Sequence, residues 1–336
     1  MKTFNVALIG CGIVGIRRSK LFKKKFILKA CADININKKK KFFLNKNIFF
    51  TKNWKDILKL DSLDAVFIAT YHTIQNKMIK EFLKRNIHVF CEKPGGTDYH
   101  ETKKLLKFSK KKKLCIKIGY NHRYHPSITL AKSILKKKII GNILYIRAVY
   151  GHGGRKNYDK EWRFNKKLSG GGELIDKGSH LIDLSRVFLG SLIVHSSYLN
   201  NYFWRTKLED NCFIALKNKK NNFSFIHASS TEWKNKFLFE IFCKYGKIEI
   251  SGLGKSYGTE KLILYEMSKE MGVPKKKEIK FSKSDTLSSW KIEVDDFYNS
   301  ILKSKACYPN IKDVYENIKI INKIYKNDNY KKSAQN

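Results

Sequence analysis

The sequence predicts an α/β fold whose N-terminal part alternates parallel strands with helices. Three observations carry that expectation. Residues 3–9 form an apolar, β-branched run that leads into Gly10-Cys11-Gly12-Ile13-Val14-Gly15 and then into a helix-compatible stretch over residues 16–23. A second strand-like run, residues 26–32, ends in Asp33, where an acidic residue can bind ribose hydroxyls. Residues 64–70 read as a further parallel strand buried on both faces, followed by a helix over residues 74–85 and another strand over 87–91.

Each element of the opening unit has a physical reason. Gly10 permits the tight turn, Gly12 lets the backbone approach a pyrophosphate, and Gly15 lets helix and strand pack closely. A Rossmann dinucleotide-binding domain follows from that combination. NAD is the expected cofactor, because the Asp33 carboxylate repels a 2′-phosphate; NADP remains possible, because Lys38–Lys41 can compensate that charge. The expected cofactor-binding set is Gly10, Gly12, Ile13, Val14, Gly15, Asp33, Thr70, Glu92 and Lys93. Lys93 stands out in a lysine-rich chain because it ends a strand in Glu92-Lys93-Pro94-Gly95-Gly96, where the backbone before proline is constrained. From there an ammonium can stabilise negative charge as it develops on a reacting oxygen.

The second half centres on Gly170-Gly-Gly-Glu-Leu-Ile-Asp-Lys-Gly-Ser-His-Leu-Ile-Asp183. On an α-helix Asp176, His180 and Asp183 share one face. A histidine exchanges protons near neutral pH, and a carboxylate one turn away can orient it. Asp183 is expected to pack structurally. The same spacing can also hold a metal, but further ligands are not visible nearby, so no metal is expected; His180 can also be read as an interior histidine. Tyr120, Asn121, Arg123, Arg155 and Arg163 are the candidate substrate-binding residues, since arginine offers a bidentate fork to carboxylate or phosphate. Residues 211–216, 223–229, 238–243 and 247–250 have strand composition, and a final helix is expected over 312–325. The loop from Gly252 to Gly258 lacks the spacing of a phosphate loop.

Composition narrows the function classes. The formal charge is +40, from 69 Lys and Arg against 29 Asp and Glu. Lysine runs lie all round the chain and do not form one basic face with interleaved aromatics, so specific nucleic-acid binding is not expected, only salt-sensitive adsorption. Seven widely spaced cysteines without a CxxC pair read as buried free thiols in a reducing compartment. Leu8-Ile9-Gly10-Cys11 imitates a lipoprotein cleavage site, but the apolar stretch before it is short and broken by Asn5, and no run approaches the ~18 apolar residues of a membrane span. A cytoplasmic protein without a membrane partner is expected. At 336 residues the chain divides naturally into two domains, placed at 1–122 and 123–330.

In this order, Gly10 to Gly15, Asp33, Glu92-Lys93-Pro94, Gly119-Tyr-Asn-His-Arg-Tyr-His-Pro126 and Gly170 to Asp183 resemble the glucose–fructose oxidoreductase / inositol dehydrogenase (Gfo/Idh/MocA) family. The resemblance implies an N-terminal Rossmann domain and a C-terminal α/β domain with a large open, mostly antiparallel sheet that binds substrate and pairs subunits as homodimers or homotetramers. It also implies an NAD(P)-dependent dehydrogenase acting on the CH–OH group of a sugar, cyclitol or nucleotide sugar. The alternative is a catalytically inactive NAD(P)-binding regulator of the same fold. Lys93 matches the lysine of the Glu-Lys-Pro motif, and Asp176 and His180 match the acid and histidine of the Asp-x-Gly-x-His motif. With the substrate between Lys93 and His180, His180 would take the hydroxyl proton, Lys93 would stabilise the oxygen and Asp176 would orient the pair. One departure concerns the loop after residue 70. There Tyr71 and Gln75 stand where relatives often have proline and histidine, which puts a cofactor role for those two positions in doubt.

Overall fold

A computed structural model describes residues 2–35, 37, 48–268 and 270–327. Lys38–Lys41, invoked above for a 2′-phosphate, lie outside the described residues. By contact the chain forms two compact units: the chain up to Tyr120 with Trp290–Ile318, and Asn121–Ser289 with the chain from Lys319 onward.

The first unit carries β1 (Phe4–Ile9), α1 (Ile13–Ser19), β2 (Phe26–Ala32), β3 (Phe49–Thr51), β4 (Ala65–Ile68), α2 (Gln75–Lys84), β5 (His88–Glu92), α3 (Tyr99–Ser109) and β6 (Ile116–Gly119). The strands form one sheet in the order β3-β2-β1-β4-β5-β6, every pair parallel. Both faces of β4 are buried, as its continuous apolar run requires. Strand order reverses between β1 and β4. That switch point places the glycine loop after β1 where open α/β sheets bind ligands.

The second unit carries α4 (Pro126–Lys136), β7 (Ile143–Gly151), α5 (Ser179–Leu189), β8 (Ile193–Asn200), β9 (Asn211–Lys217), β10 (Phe223–Ser229), β11 (Lys236–Cys243), β12 (Gly246–Ser251), β13 (Lys261–Glu266) and β14 (Lys275–Lys280). Its strands run in the order β14-β13-β12-β11-β7-β10-β9-β8, with only β10 and β7 parallel. Alternation along the strands separates two faces. Ile146, Ala148, Phe239, Ile241, Ile248 and Ile250 are buried on one. The other carries the Arg147–Glu240–Lys247 ion cluster with Tyr145, Phe213 and Phe225 exposed.

Helix α6 (Lys283–Leu302) and helix α7 (Ile311–Asn327) complete the chain. Val294, Phe297, Tyr298 and Ile301 of α6 bury into the first unit's cluster with Phe4, Phe26, Phe67 and Phe90. The ring centroids of Phe67 and Phe90 lie 5.0 Å apart, and Phe297 meets Phe90 edge-on at 5.5 Å. Residues 290–318 therefore belong by contact to the first unit, in contrast to the second domain expected over 123–330. Phe297→Ala is expected to cost about 3–5 kcal/mol, because it empties a fully buried aromatic site; urea unfolding followed by fluorescence measures it.

The expectation of seven free thiols is corrected for one pair. Cys115 and Cys307, 192 residues apart in sequence with Cα atoms 5.5 Å apart, form a disulfide in the first unit. Cys11, Cys31, Cys91, Cys212 and Cys243 are buried free thiols. Only the fold brings the pair together, so no local spacing announces it. Among the described residues no helix is long and apolar enough to cross a membrane.

Candidate active site

The glycine loop is shaped by contacts that exclude side chains. Gly10 has φ +88°, and a Cβ there would lie 2.3 Å from the Ala69 carbonyl oxygen. A Cβ on Gly15 would lie 2.0 Å from the Gly10 carbonyl oxygen, whereas one on Gly12 would meet nothing within 4 Å. The loop thus packs tightly on two sides and is open beside Gly12. That cradle fits a dinucleotide pyrophosphate. Asp33 accepts hydrogen bonds from the Cys11 N–H at 2.7 Å and the Asn35 N–H at 2.8 Å, so its carboxylate also fixes the loop. Ile13 is exposed and Val14 half-buried.

Two loops at the strand ends are tied by a residue that sequence reasoning had set aside. Buried Gln75 donates from Nε2 to the Thr70 carbonyl at 3.3 Å and accepts from the Gly95 N–H at 2.9 Å. The loop carrying Lys93 is thereby anchored to the end of β4. Beside it, Glu92 accepts a 2.7 Å hydrogen bond from Nε of buried Arg18, which also pairs with Glu293 at 2.6 Å and stacks over Trp290 at 4.0 Å. Glu92, expected to face the cofactor, is engaged by this arginine. Burial pushes the Glu293 carboxyl up to about 7 against the pull of Arg18.

In the second unit the expected uniform α-helix is corrected. Leu174–Gly178 forms a π-helical turn before α5. A wider turn shifts the phase of Asp176 relative to His180 and Asp183 from that of a uniform α-helix. Asp183 is buried and holds Arg123 bidentately, at 2.7 Å from Nε and 2.6 Å from Nη2. Arg123, expected to bind substrate, makes this internal pair. Asp176 lies 3.4 Å from Nε of Arg163 and 3.6 Å from Nζ of Lys177. Arg155 and Arg163 share Glu161, at 2.6 Å and 3.0 Å. His180 is buried, its ring stacked on His122 with centroids 4.0 Å apart. Asn121 is buried in this unit and Tyr120 fully buried in the first. Lys93 also belongs to the first unit, while Asp176 and His180 belong to the second.

A buried polar network missed by sequence reasoning surrounds Asp176. Lys177 pairs with Glu173 at 2.6 Å, and the Tyr158 hydroxyl donates to Glu173 at 3.1 Å. Burial pulls the Lys177 pKa down, but Glu173, Tyr158, Asp176 and Tyr257 outweigh it and hold the ammonium well above its ordinary range. Burial, reinforced by positive Lys177, lowers His152 to about 3, so this ring is neutral; its Nδ1 accepts from the Gly154 N–H at 2.8 Å. Burial raises Tyr150 well above its usual value. The arrangement sets two cations, Arg163 and Lys177, beside Asp176, and the Lys177 ammonium with the Tyr158 hydroxyl beside Glu173. The i, i+4 pair Glu173/Lys177 was a readable signal, hidden among 69 basic residues.

Glu209 anchors the entry to this helix. Its carboxylate accepts from the Gly172 and Leu174 N–H groups at 2.9 and 3.2 Å and from the Tyr325 hydroxyl at 2.6 Å. Burial nevertheless raises it to about 7. A carboxyl raised in the folded state binds more protons there than when unfolded, so its contribution is full below its unfolded pKa of about 4.3 and is lost as pH rises through the folded value. Glu209→Gln is expected to flatten that fall, on the order of 3 kcal/mol, in denaturation curves measured at successive pH values.

Among the described residues no group of three or more His, Cys, Asp or Glu is placed to hold a metal ion. Comparison with known proteins adds the family. Residues 4–120 match the oxidoreductase family with the NAD-binding Rossmann fold, and residues 128–249 match the GFO/IDH/MocA C-terminal domain. The chain is 26% identical to levoglucosan dehydrogenase of Pseudarthrobacter phenanthrenivorans over 64% of its own length and 59% of that protein's. It is 26% identical to the rhizopine catabolism protein MocA of Rhizobium meliloti over 40% and 41% of the two chains. The matching stretch thus spans about half the length of these curated relatives. In structure it superposes on levoglucosan dehydrogenase in complex with NADH, with a TM-score of 0.84, 20% identity and coverage of 97% and 98%. It also superposes on KijD10, a 3-ketoreductase from Actinomadura kijaniata in complex with NADP and TDP-benzene, with a TM-score of 0.82, 15% identity and coverage of 97% and 98%. With a Rossmann sheet, a glycine loop fixed by Asp33, and both family domains matched in order, the chain belongs to the Gfo/Idh/MocA oxidoreductase family.

Proposed function

We propose that this chain is an NAD(P)-dependent oxidoreductase acting on a secondary alcohol or ketone of a sugar or sugar derivative. The observation that carries this reading is the glycine cradle, closed to a Cβ at Gly10 and Gly15, open at Gly12, and set at the sheet's switch point. When bound, the nicotinamide supplies the hydride acceptor or donor. His180 takes the hydroxyl proton during oxidation and returns it during reduction. Lys93 places a cation near the reacting oxygen. Asp176, held by Arg163 and Lys177, presents a fixed carboxylate beside the substrate.

Relatives support the substrate class. Levoglucosan dehydrogenase has been captured with levoglucosan and with L-sorbose, and KijD10 with TDP-benzene. Half-exposed Arg163 and exposed Arg155 suit an acidic or nucleotide-linked sugar. Exposed Phe213, Phe225 and Tyr145 on one sheet face support pairing of subunits through that face. Cofactor absorbance, followed with levoglucosan, cyclitols, uronates and nucleotide sugars, tests the activity. Change with at least one of them is expected. Saturable cofactor binding without change on any would instead favour the regulator.

A further inference from the structure

Antiparallel pairing brings one end of β11, β12, β13 and β14 together in the second unit. There a cavity of about 460 Å³ is lined by Lys236, Ser251, Lys261 and Lys280, with Phe237, Tyr257 and both ends of the loop from Gly252 to Gly258. Among the described residues no aspartate or glutamate lines it. We propose that this cavity binds the phosphoryl group of a phosphate-bearing sugar substrate, either a sugar phosphate or a nucleotide-linked sugar. The substrate class rests on the reading of the chain as a sugar oxidoreductase; the phosphate site itself does not.

The fold leaves positive charge in excess at this cavity. Lys261 and Lys280 stand directly opposite each other on β13 and β14, a like-charge pair that destabilises a sheet. Further along the same two strands Glu266 faces Lys275, so charges there are complementary. Lysines on the edge strand β14 also ward off other strands, but β11 and β13 lie inside the sheet. Among the described residues Lys236 and Lys261 have no ion-pair partner, and Lys280 has Glu278 at 3.7 Å, which also meets Lys276 at 3.8 Å. Glu260, next to Lys261 in sequence, is buried and turned to the Ser127 N–H at 3.0 Å and His125 Nδ1 at 2.8 Å. Compact ammonium charges match a phosphate carrying about two negative charges. Ser251 is an independent observation: its Oγ is shielded from solvent and has no hydrogen-bond partner, a loss that a ligand oxygen would make good. The loop's N–H groups are already engaged, Gly252 donating to the Phe237 carbonyl at 3.1 Å and Gly254 to the Gly258 carbonyl at 2.9 Å, so recognition falls to side chains. The cavity also adjoins the proton-transfer residues. Phe237 and Tyr257 meet the Tyr150 ring at 5.6 and 5.4 Å, and Tyr150 meets His180 edge-on at 6.0 Å, a span on the scale of a sugar with its phosphate.

Isothermal titration of the whole chain with inorganic pyrophosphate tests the site, at about 0.15 M salt to screen loose adsorption and with NADH present to fill the glycine cradle. Saturable binding at one further site is expected. Lys236→Ala/Lys261→Ala should weaken it by at least about 10-fold, on the order of one charge-assisted hydrogen bond. Lys103→Ala/Lys107→Ala removes the same charge from exposed positions on α3 and should leave it unchanged. Equal weakening in both variants, the mark of adsorption on a basic chain, would overturn the proposal, and so would the absence of saturable binding to the wild type. Should the pocket variant fail to fold, Ser251→Ala decides without any change of charge: binding about 10-fold weaker supports the site, and unchanged binding overturns it. Uridine diphosphate and glucose 6-phosphate, titrated in the same way, identify the source: tighter binding of the first assigns a nucleotide-linked sugar, of the second a sugar phosphate. The parent reading fails separately, by bound cofactor showing no absorbance change with any sugar while pyrophosphate binding stands.

Discussion

His180→Ala is expected to lower kcat by about 10²–10⁴-fold, the usual contribution of a positioned acid–base group, while nicotinamide cofactor affinity stays unchanged. The asymmetry follows from where the residue sits. His180 lies in the second unit, and the glycine loop, Asp33 and the Gln75-anchored Lys93 loop lie in the first. The side chain is buried beside His122 and Tyr150, so truncation also opens a cavity; comparing thermal unfolding of variant and wild type separates lost chemistry from lost fold. Steady-state kinetics in both directions, with cofactor binding measured by fluorescence, check it. Retention of near-normal turnover would remove His180 from the mechanism.

Gly15→Ala is expected to weaken cofactor binding by about 10- to 100-fold, the affinity equivalent of an overpacking cost of about 1–3 kcal/mol. The new Cβ would fall 2.0 Å from the Gly10 carbonyl oxygen. That atom is backbone, so relief requires α1 or the loop to move. Gly12→Ala is the informative contrast, because its Cβ would meet nothing within 4 Å in the protein. It should unfold at the wild-type temperature and still bind cofactor poorly, since the methyl occupies the space the pyrophosphate needs. Gly15→Ala should lose both stability and affinity. Fluorescence titration with NADH alongside thermal unfolding distinguishes the two variants.

Legibility in the sequence followed the range of the interactions. The Rossmann half was readable because strand, glycine turn, helix and Asp33 lie within the first 33 residues and each obeys a local rule. The four strands expected in the second unit are present within a residue or two of their bounds. Strand β14, Lys-Lys-Lys-Glu-Ile-Lys, was not readable, because a charged edge strand carries almost no apolar alternation. The Cys115–Cys307 pair and the burial of α6 among first-unit aromatics depend on contacts nearly 200 residues apart or more. In the candidate site, motif position pointed to Asp176, His180 and Lys93, but it could not show that Asp183 and Arg123 hold each other or that a π turn intervenes. Gln75 was set aside for departing from the family pattern. Its amide satisfies Thr70 and Gly95 at once, a role visible only when both loops are in place.

The most direct test of the account is transfer of deuterium from reduced nicotinamide cofactor deuterated at its reactive carbon to a panel of keto sugars, read by mass spectrometry of the products. One deuterium on the new carbinol carbon is predicted with the wild-type chain, and with His180→Ala the same label formed about 10²–10⁴-fold more slowly. Saturable binding of the cofactor with no labelled product from any ketone would contradict it.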